Sequence, residues 1–134
     1  MRADLHHVHL FASDLDAAIG WWRDMLGGEV AYDGDFGGAR NVFMRVGTGR
    51  LHLYEQTPRR SPGGALHHVG IQCQDLKGLV GRMKSKGMEF RSEVREFGNW
   101  RYIMCAAPDD VLLELFEIDV GDMPPALADY FAAR

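Results

Sequence analysis

Three histidines and one glutamate stand at spacings that could hold a metal ion: His7 and His52 are 45 residues apart, and His68 and Glu114 are 46 apart. Neutral imidazole nitrogen and carboxylate oxygen suit zinc, nickel, cobalt, iron or manganese. Three imidazoles and one carboxylate on a five- or six-coordinate ion leave positions open. An open position is what lets a substrate oxygen reach the metal. A lone histidine on a strand is more often packed or solvated than ligating, so the weight of this set rests on how its members relate to one another.

That relation is an internal repeat. Residues 5–15 read LHHVHLFASDL and residues 66–76 read LHHVGIQCQDL, identical at six of eleven positions at an offset of 61. Residues 51–55, LHLYE, and 113–117, LELFE, match at an offset of 62. His68 therefore takes the place of His7, and Glu114 the place of His52. A pseudo-two-fold relation between the halves would gather all four on one ion. The repeat units span about 1–56 and 65–118. TPRRSPGG (57–64) has the Pro and Gly content of a linker, and 119–134 form a C-terminal tail outside the repeat.

The elements that must position these residues follow from hydrophobic period. Residues 5–11 alternate, which predicts a strand with Leu5, His7, His9 and Phe11 on one face and Val8 and Leu10 on the other. Ser13 or Asp14 is placed to cap a helix. Leu15, Ile19, Trp22, Met25 and Leu26 give that helix one apolar face, and Gly27-Gly28 ends it. Strands are expected near 29–34, 40–46 and 50–55. The second half repeats the pattern: a strand at 66–73, a helix from Asp75 through Leu76, Leu79, Val80 and Met83 to Gly87, then strands near 88–95, 99–105 and 111–118. In the tail, Pro124-Pro125 opens a short helix carrying Leu127, Tyr130 and Phe131, placed to dock on the body or on a second chain. One helix covers only one face of each sheet. The class is therefore α+β: two tandem βαβββ units whose curved sheets form a cleft.

Alternation sends His6 and His67 to the helix side, which reads them as structural. His9, whose counterpart is Gly70, is a pocket residue rather than a ligand. Tyr54, Tyr102 and Met104 join it as substrate-pocket candidates, and Phe11, Trp100 and Phe116 share their parity. Glu55 and Glu117 sit one residue off the ligand parity and read as solvated or bridging. Arg40, Arg45 and Arg101 could hold a substrate carboxylate or phosphate through guanidinium forks, although a surface role suits each better.

Bulk properties narrow the function class. A chain of 134 residues with 46% hydrophobic and 25% charged residues is a one-domain globular length. A formal charge of −4 gives no basic footprint for nucleic acid. No apolar run approaches the roughly 20 residues of a membrane helix, and Met1-Arg2-Ala3-Asp4 lacks a signal-peptide core. Cys73 and Cys105 make no CxxC motif and no disulfide framework, which fits a reduced, cytoplasmic setting. The glycines sit in turns rather than in a phosphate loop, so no nucleotide cofactor is expected.

HVHLFASDL (7–15), HVGIQCQDL (68–76) and APDDVLLELFE (107–117) together resemble the vicinal oxygen chelate superfamily, which includes glyoxalases, methylmalonyl-CoA epimerase, extradiol dioxygenases and bleomycin-resistance proteins. The last run resembles the superfamily's DPDG-x-x-x-E, with Ala107 for the first Asp and Val111 for its Gly. The resemblance covers about 5–118 and implies one domain, 1–134, of the glyoxalase/bleomycin-resistance/dioxygenase type. It implies His7, His68 and Glu114 as metal ligands and His52 as the fourth, at a position that is Glu in glyoxalase I and Gln in methylmalonyl-CoA epimerase.

The reaction it implies is that of a metal-dependent lyase or isomerase, glyoxalase- or epimerase-like, working through a metal-stabilised enolate with Glu114 and His52 as the catalytic pair. One alternative is an Fe(II) extradiol-type dioxygenase, with His7, His68 and Glu114 as its facial triad. There the tyrosine such enzymes place ten residues before the glutamate is Met104, and Tyr102 lies two residues earlier on the same face. Another is a metal-free drug- or ligand-binding resistance protein, which four retained ligand-type residues disfavour. The expected partners are a small-molecule substrate and a second copy in a homodimer, with neither nucleic acid nor membrane. An eight-residue linker permits His7 to meet His68 within one chain or across the dimer.

Overall fold

Alternating apolar residues in each half turn one face of a sheet toward a single amphipathic helix, and the two halves do this in the same order. The computed structural model describes residues 5–36, 38–58 and 66–132; residues 59–65, most of the expected linker, lie outside them. The first half forms β1 (Val8–Ala12), α1 (Leu15–Leu26), β2 (Glu29–Phe36), β3 (Ala39–Val46) and β4 (Gly49–Glu55). The second forms β5 (Val69–Gln72), α2 (Leu76–Ser85), β6 (Arg95–Phe97), β7 (Trp100–Ala107) and β8 (Val111–Ile118), followed by α3 (Pro125–Phe131). The sheets run β1-β4-β3-β2 and β5-β8-β7-β6, with β1 parallel to β4 and β5 parallel to β8. By contacts the chain divides into 1–65 with 107–110, and 66–106 with 111–134.

Within the first unit, Leu10, Ala12, Val42, Met44, Leu51 and Leu53 from the sheet are buried with Leu15, Ala18, Ile19 and Trp22 of α1. Within the second, Ile103, Cys105, Leu113 and Leu115 are buried with Leu76, Val80 and Met83 of α2. Each fully buried large apolar side chain contributes about 1.5–3 kcal/mol from area removed from water. Both helices start on a repeat-equivalent aspartate. Asp14 accepts from Ala17 N at 3.0 Å and Asp75 from Gly78 N at 2.9 Å, satisfying a free N–H of each first turn. Gly27 ends α1 with φ 69, a left-handed conformation that disfavours a Cβ, and donates its N–H to Arg23 O.

The structure shortens several expected strands. β1 begins at Val8 rather than 5, β5 covers Val69–Gln72 rather than 66–73, and the strand near 88–95 reduces to Arg95–Phe97. All three β6 side chains are exposed, so this edge has no packing to extend it. The APDD turn places Asp109 and Asp110 at φ 62 and 59. The glycine-favouring position of that run is therefore Asp110, and Val111 already begins β8. Ser13 donates to Asp109 through its backbone N–H at 3.1 Å and through its hydroxyl, which ties this turn to the start of α1.

The tail helix begins at Pro125, where a missing N–H costs nothing. Asp119 N donates to Asn99 O at 3.0 Å where the tail leaves β8, and Gln72 Nε2 donates to Phe131 O at 2.8 Å at the end of the helix.

Candidate metal centre and adjoining pocket

The sheet faces turned away from the helices carry the candidate residues. In the first unit, β1 lies beside β4 with His9 opposite His52, and β3 lies on the other side with Phe43 opposite His52. His7, just before β1, stacks on the His52 imidazole at 3.6 Å between ring centroids and 13° between planes. Phe43 stacks on His52 at 3.9 Å and 23°. His52 is thus held between two rings. Burial, then the neighbouring His7, His6 and His9, push its pKa below the ordinary imidazole value, so its neutral, metal-competent form is favoured.

His6 belongs to this group, contrary to the parity argument. Residues 5–7 precede the strand, so alternation does not govern them. One ligand atom from each of His6, His7 and His52 lies within 4.8 Å of the others. Imidazole nitrogens grouped this closely are of a type that could hold a divalent metal.

In the second unit, Gly70 lies opposite Glu114 as His9 lies opposite His52. His68 Nε2 is 2.9 Å from Glu114 Oε2. Trp100 Nε1 donates to the other carboxylate oxygen at 3.0 Å. The Trp100 ring stacks on Phe116 at 4.6 Å, and Phe131 of the tail meets both rings edge-on at 5.3 and 6.2 Å. His67 also falls at His68 rather than apart from it, its Nδ1 2.8 Å from Nδ1 of His68. The four expected ligands thus come together as two pairs, His7 with His52 and His68 with Glu114, each inside its own unit.

A concavity of about 580 Å³ opens beside His52, lined by His9, Phe11, Asn41, Phe43, His52, Tyr54 and Gln56. Of the expected pocket residues, His9, Phe11 and Tyr54 line it. Tyr102 and Met104 stand half-buried on β7 of the second unit, on the strand face opposite buried Ile103 and Cys105. Asn41, Phe43 and Gln56 were not anticipated. The two-residue turn Gly47-Thr48 was the available signal for Phe43, because it sets the β3–β4 register that puts this residue against His52.

Two of the arginines considered for anion binding are engaged by acidic side chains instead. Arg40 pairs with Asp33 and Asp16 at 2.8 Å each, and Arg101 with Glu117 at 3.0 Å. Glu117 bridges as anticipated, accepting also from Leu76 N at the start of α2. That backbone bond, then Arg101, holds its carboxyl below the usual carboxylate range. Burial pushes the Cys73 and Cys105 thiols up to about 11, which leaves both as poor nucleophiles.

Comparison with known proteins bears on this geometry. A family profile described as "Glyoxalase/Bleomycin resistance protein/Dioxygenase superfamily" matches residues 4–115. The chain is 27% identical over 126 residues to human mitochondrial methylmalonyl-CoA epimerase, covering 83% of this chain and 72% of that protein. It is 28% identical over 98 residues to the ethylmalonyl-CoA/methylmalonyl-CoA epimerase of Cereibacter sphaeroides, covering 65% and 73%. Among solved structures, a mutant of the fosfomycin resistance protein FosX from Listeria monocytogenes, complexed with manganese(II) and a dihydroxypropylphosphonic acid, matches with a TM-score of 0.75 at 21% identity, covering 89% of this chain and 95% of that one. A glyoxylase/bleomycin resistance protein/dioxygenase domain from Frankia matches with a TM-score of 0.73 at 18% identity, covering 89% and 100%.

Proposed function

Because the chain belongs to the glyoxalase/bleomycin resistance protein/dioxygenase superfamily, we propose that it is a divalent-metal-dependent isomerase that moves a proton on the carbon next to a carbonyl, as an epimerase does. The observation that carries this reading is the pairing of donors at repeat-equivalent places: an imidazole pair in one unit and an imidazole–carboxylate pair in the other. In this reading His7, His52, His68 and Glu114 hold one ion. The epimerase relatives favour a 2-substituted acyl thioester as the substrate class.

The bound ion would draw charge from the substrate carbonyl and so lower the cost of removing the adjacent proton. The chain's own residues would do the rest. Epimerisation removes a proton from one face of the carbon and returns one to the other, so it needs two proton-handling groups. His52 and Glu114 are the candidates. When it is not bound to the ion, His52 is favoured as the neutral imidazole, which can take a proton. Glu114 has Oε1 engaged by Trp100, leaving Oε2 on the His68 side to accept or release one. His9 and Tyr54 place polar groups beside apolar Phe11 and Phe43, which suits orienting an oxygenated substrate while excluding water. The ligand pairing itself extends to a homodimer in this reading, with the ion shared within one chain or across two.

The test is metal analysis of purified protein, then reconstitution with cobalt, nickel, manganese, zinc or iron(II). Reconstituted protein is incubated with 2-substituted acyl-CoA esters in D₂O, and deuterium incorporation at carbon 2 is followed by mass spectrometry. Metal-dependent exchange is expected. Oxygen uptake with a catechol and no exchange would overturn the reading in favour of ring cleavage.

A further inference from the structure

The two units repeat a contact that their ligand roles do not require. His6 Nδ1 lies 3.1 Å from His7 Nδ1, and His67 Nδ1 lies 2.8 Å from His68 Nδ1. The rings meet edge-on in both, at 84° and 83° between planes. Neighbours on a strand point to opposite faces. Here the histidine doublets precede β1 and β5, and the backbone outside the strand lets adjacent imidazoles meet.

The geometry points to His6 and His67 as positioning residues for the metal ligands. Each engages Nδ1 of the histidine that follows it and leaves that ligand's Nε2 for the ion. This rests on the ligand set of the proposed function.

The second unit shows why an imidazole suits the task. His68 is held at both nitrogens: Nδ1 by His67, and Nε2 at 2.9 Å from Glu114 Oε2. A carboxylate oxygen only accepts, so a neutral His68 carries its proton on Nε2 and receives at Nδ1 from His67. Metal binding needs the reverse tautomer, with Nε2 bare and Nδ1 protonated. On binding, the Nε2 proton would leave to water, and His67 would pass its Nδ1 proton to Nδ1 of His68 and take one from water at its own Nε2, which its exposed ring allows. The two rings hold two protons before and after. A backbone carbonyl can only accept and a lysine or arginine can only donate, whereas imidazole does either. Loss of such a partner to a ligating histidine typically weakens metal binding 10–100-fold.

The test uses His67→Phe and His6→Phe, which keep a ring and remove its nitrogens, with His68→Ala as a control. Zinc affinity is measured by competition with a chelator. Each phenylalanine variant is expected to bind about 10–100-fold more weakly, with melting of the metal-free protein unchanged because both histidines are exposed. In the zinc-loaded wild type with ¹⁵N-labelled histidine, His7 and His68 should be protonated at Nδ1, and His6 and His67 should show no coordinated nitrogen. Affinities within twofold of wild type, or a coordinated nitrogen on His6 or His67, overturn the inference. A wild type that binds no zinc or other divalent metal, or a His68→Ala variant that binds as well as wild type, overturns the ligand set itself.

Discussion

The open face of the first sheet and the open face of the second occupy the same place in the repeat and are furnished differently. The first carries imidazoles and aromatic rings around a concavity of about 580 Å³. In the second, Phe131 of the tail lies edge-on to Trp100 and Phe116, and the carboxylate of Glu114 is fixed by the Trp100 N–H. The helix-facing residues, by contrast, match closely: Leu51 and Leu53 in one unit, Leu113 and Leu115 in the other, all buried. The difference teaches that the repeat preserves packing on the covered face and divides labour on the open one. One unit offers donors beside a pocket. The other offers a carboxylate with its orientation set.

That division breaks most sharply at the proposed ligands. His68→Ala or Glu114→Ala is expected to remove most bound metal and to lower exchange activity by at least about 10²-fold, with circular dichroism unchanged. His52→Ala should cost comparably if both units contribute to one ion. Unfolding of these variants with metal in excess would instead assign the residues to packing. Next in size are the paired core residues. Leu53→Ala and Leu115→Ala should each destabilise by about 2–5 kcal/mol in urea unfolding, since Leu53 and Leu115 are 1% and 0% exposed. Similar losses sharpen the equivalence of the covered faces; a loss confined to one variant breaks it.

Acidification separates the open faces by charge. His52 titrates below its unfolded value, so the fold favours the neutral ring. Its stabilisation is complete above a pH of about 6.5 and is lost as pH falls through the lowered folded value. The melting temperature of the metal-free wild type should therefore fall on acidification through this range, and that of His52→Phe should fall less. The smallest contrast is between repeat-equivalent glutamates. Glu117→Gln weakens the acceptor at the start of α2 and the Arg101 pair, for an expected loss of about 1 kcal/mol. Glu55→Gln, at an exposed position, should stay within about 0.5 kcal/mol. Chemical denaturation of both variants checks it.

Much of this was legible beforehand. The element order, the capping aspartates and Gly27 follow from period and local chemistry that act within a few residues. The repeat singled out His7, His52, His68 and Glu114 as candidate ligands. The misplacement of the histidine doublets has one cause. Parity placed His6 and His67 on the helix side because it treated 5–11 and 66–73 as strand throughout, whereas pairing begins only at Val8 and Val69. The acidic partners of Arg40 and Arg101 lie outside what local pattern reveals, because they come from other elements.

By itself the amino-acid order determined two βαβββ units, which faces their helices cover, and which residue types return at matching places, because hydrophobic period and repetition are properties of the chain. Only the tertiary structure decided that His52 lies between His7 and Phe43, that Trp100 orients Glu114, and that Phe131 reaches back to the second sheet. Those contacts join residues distant in sequence, and their existence depends on strand register and on where strands begin, neither of which local preference specifies.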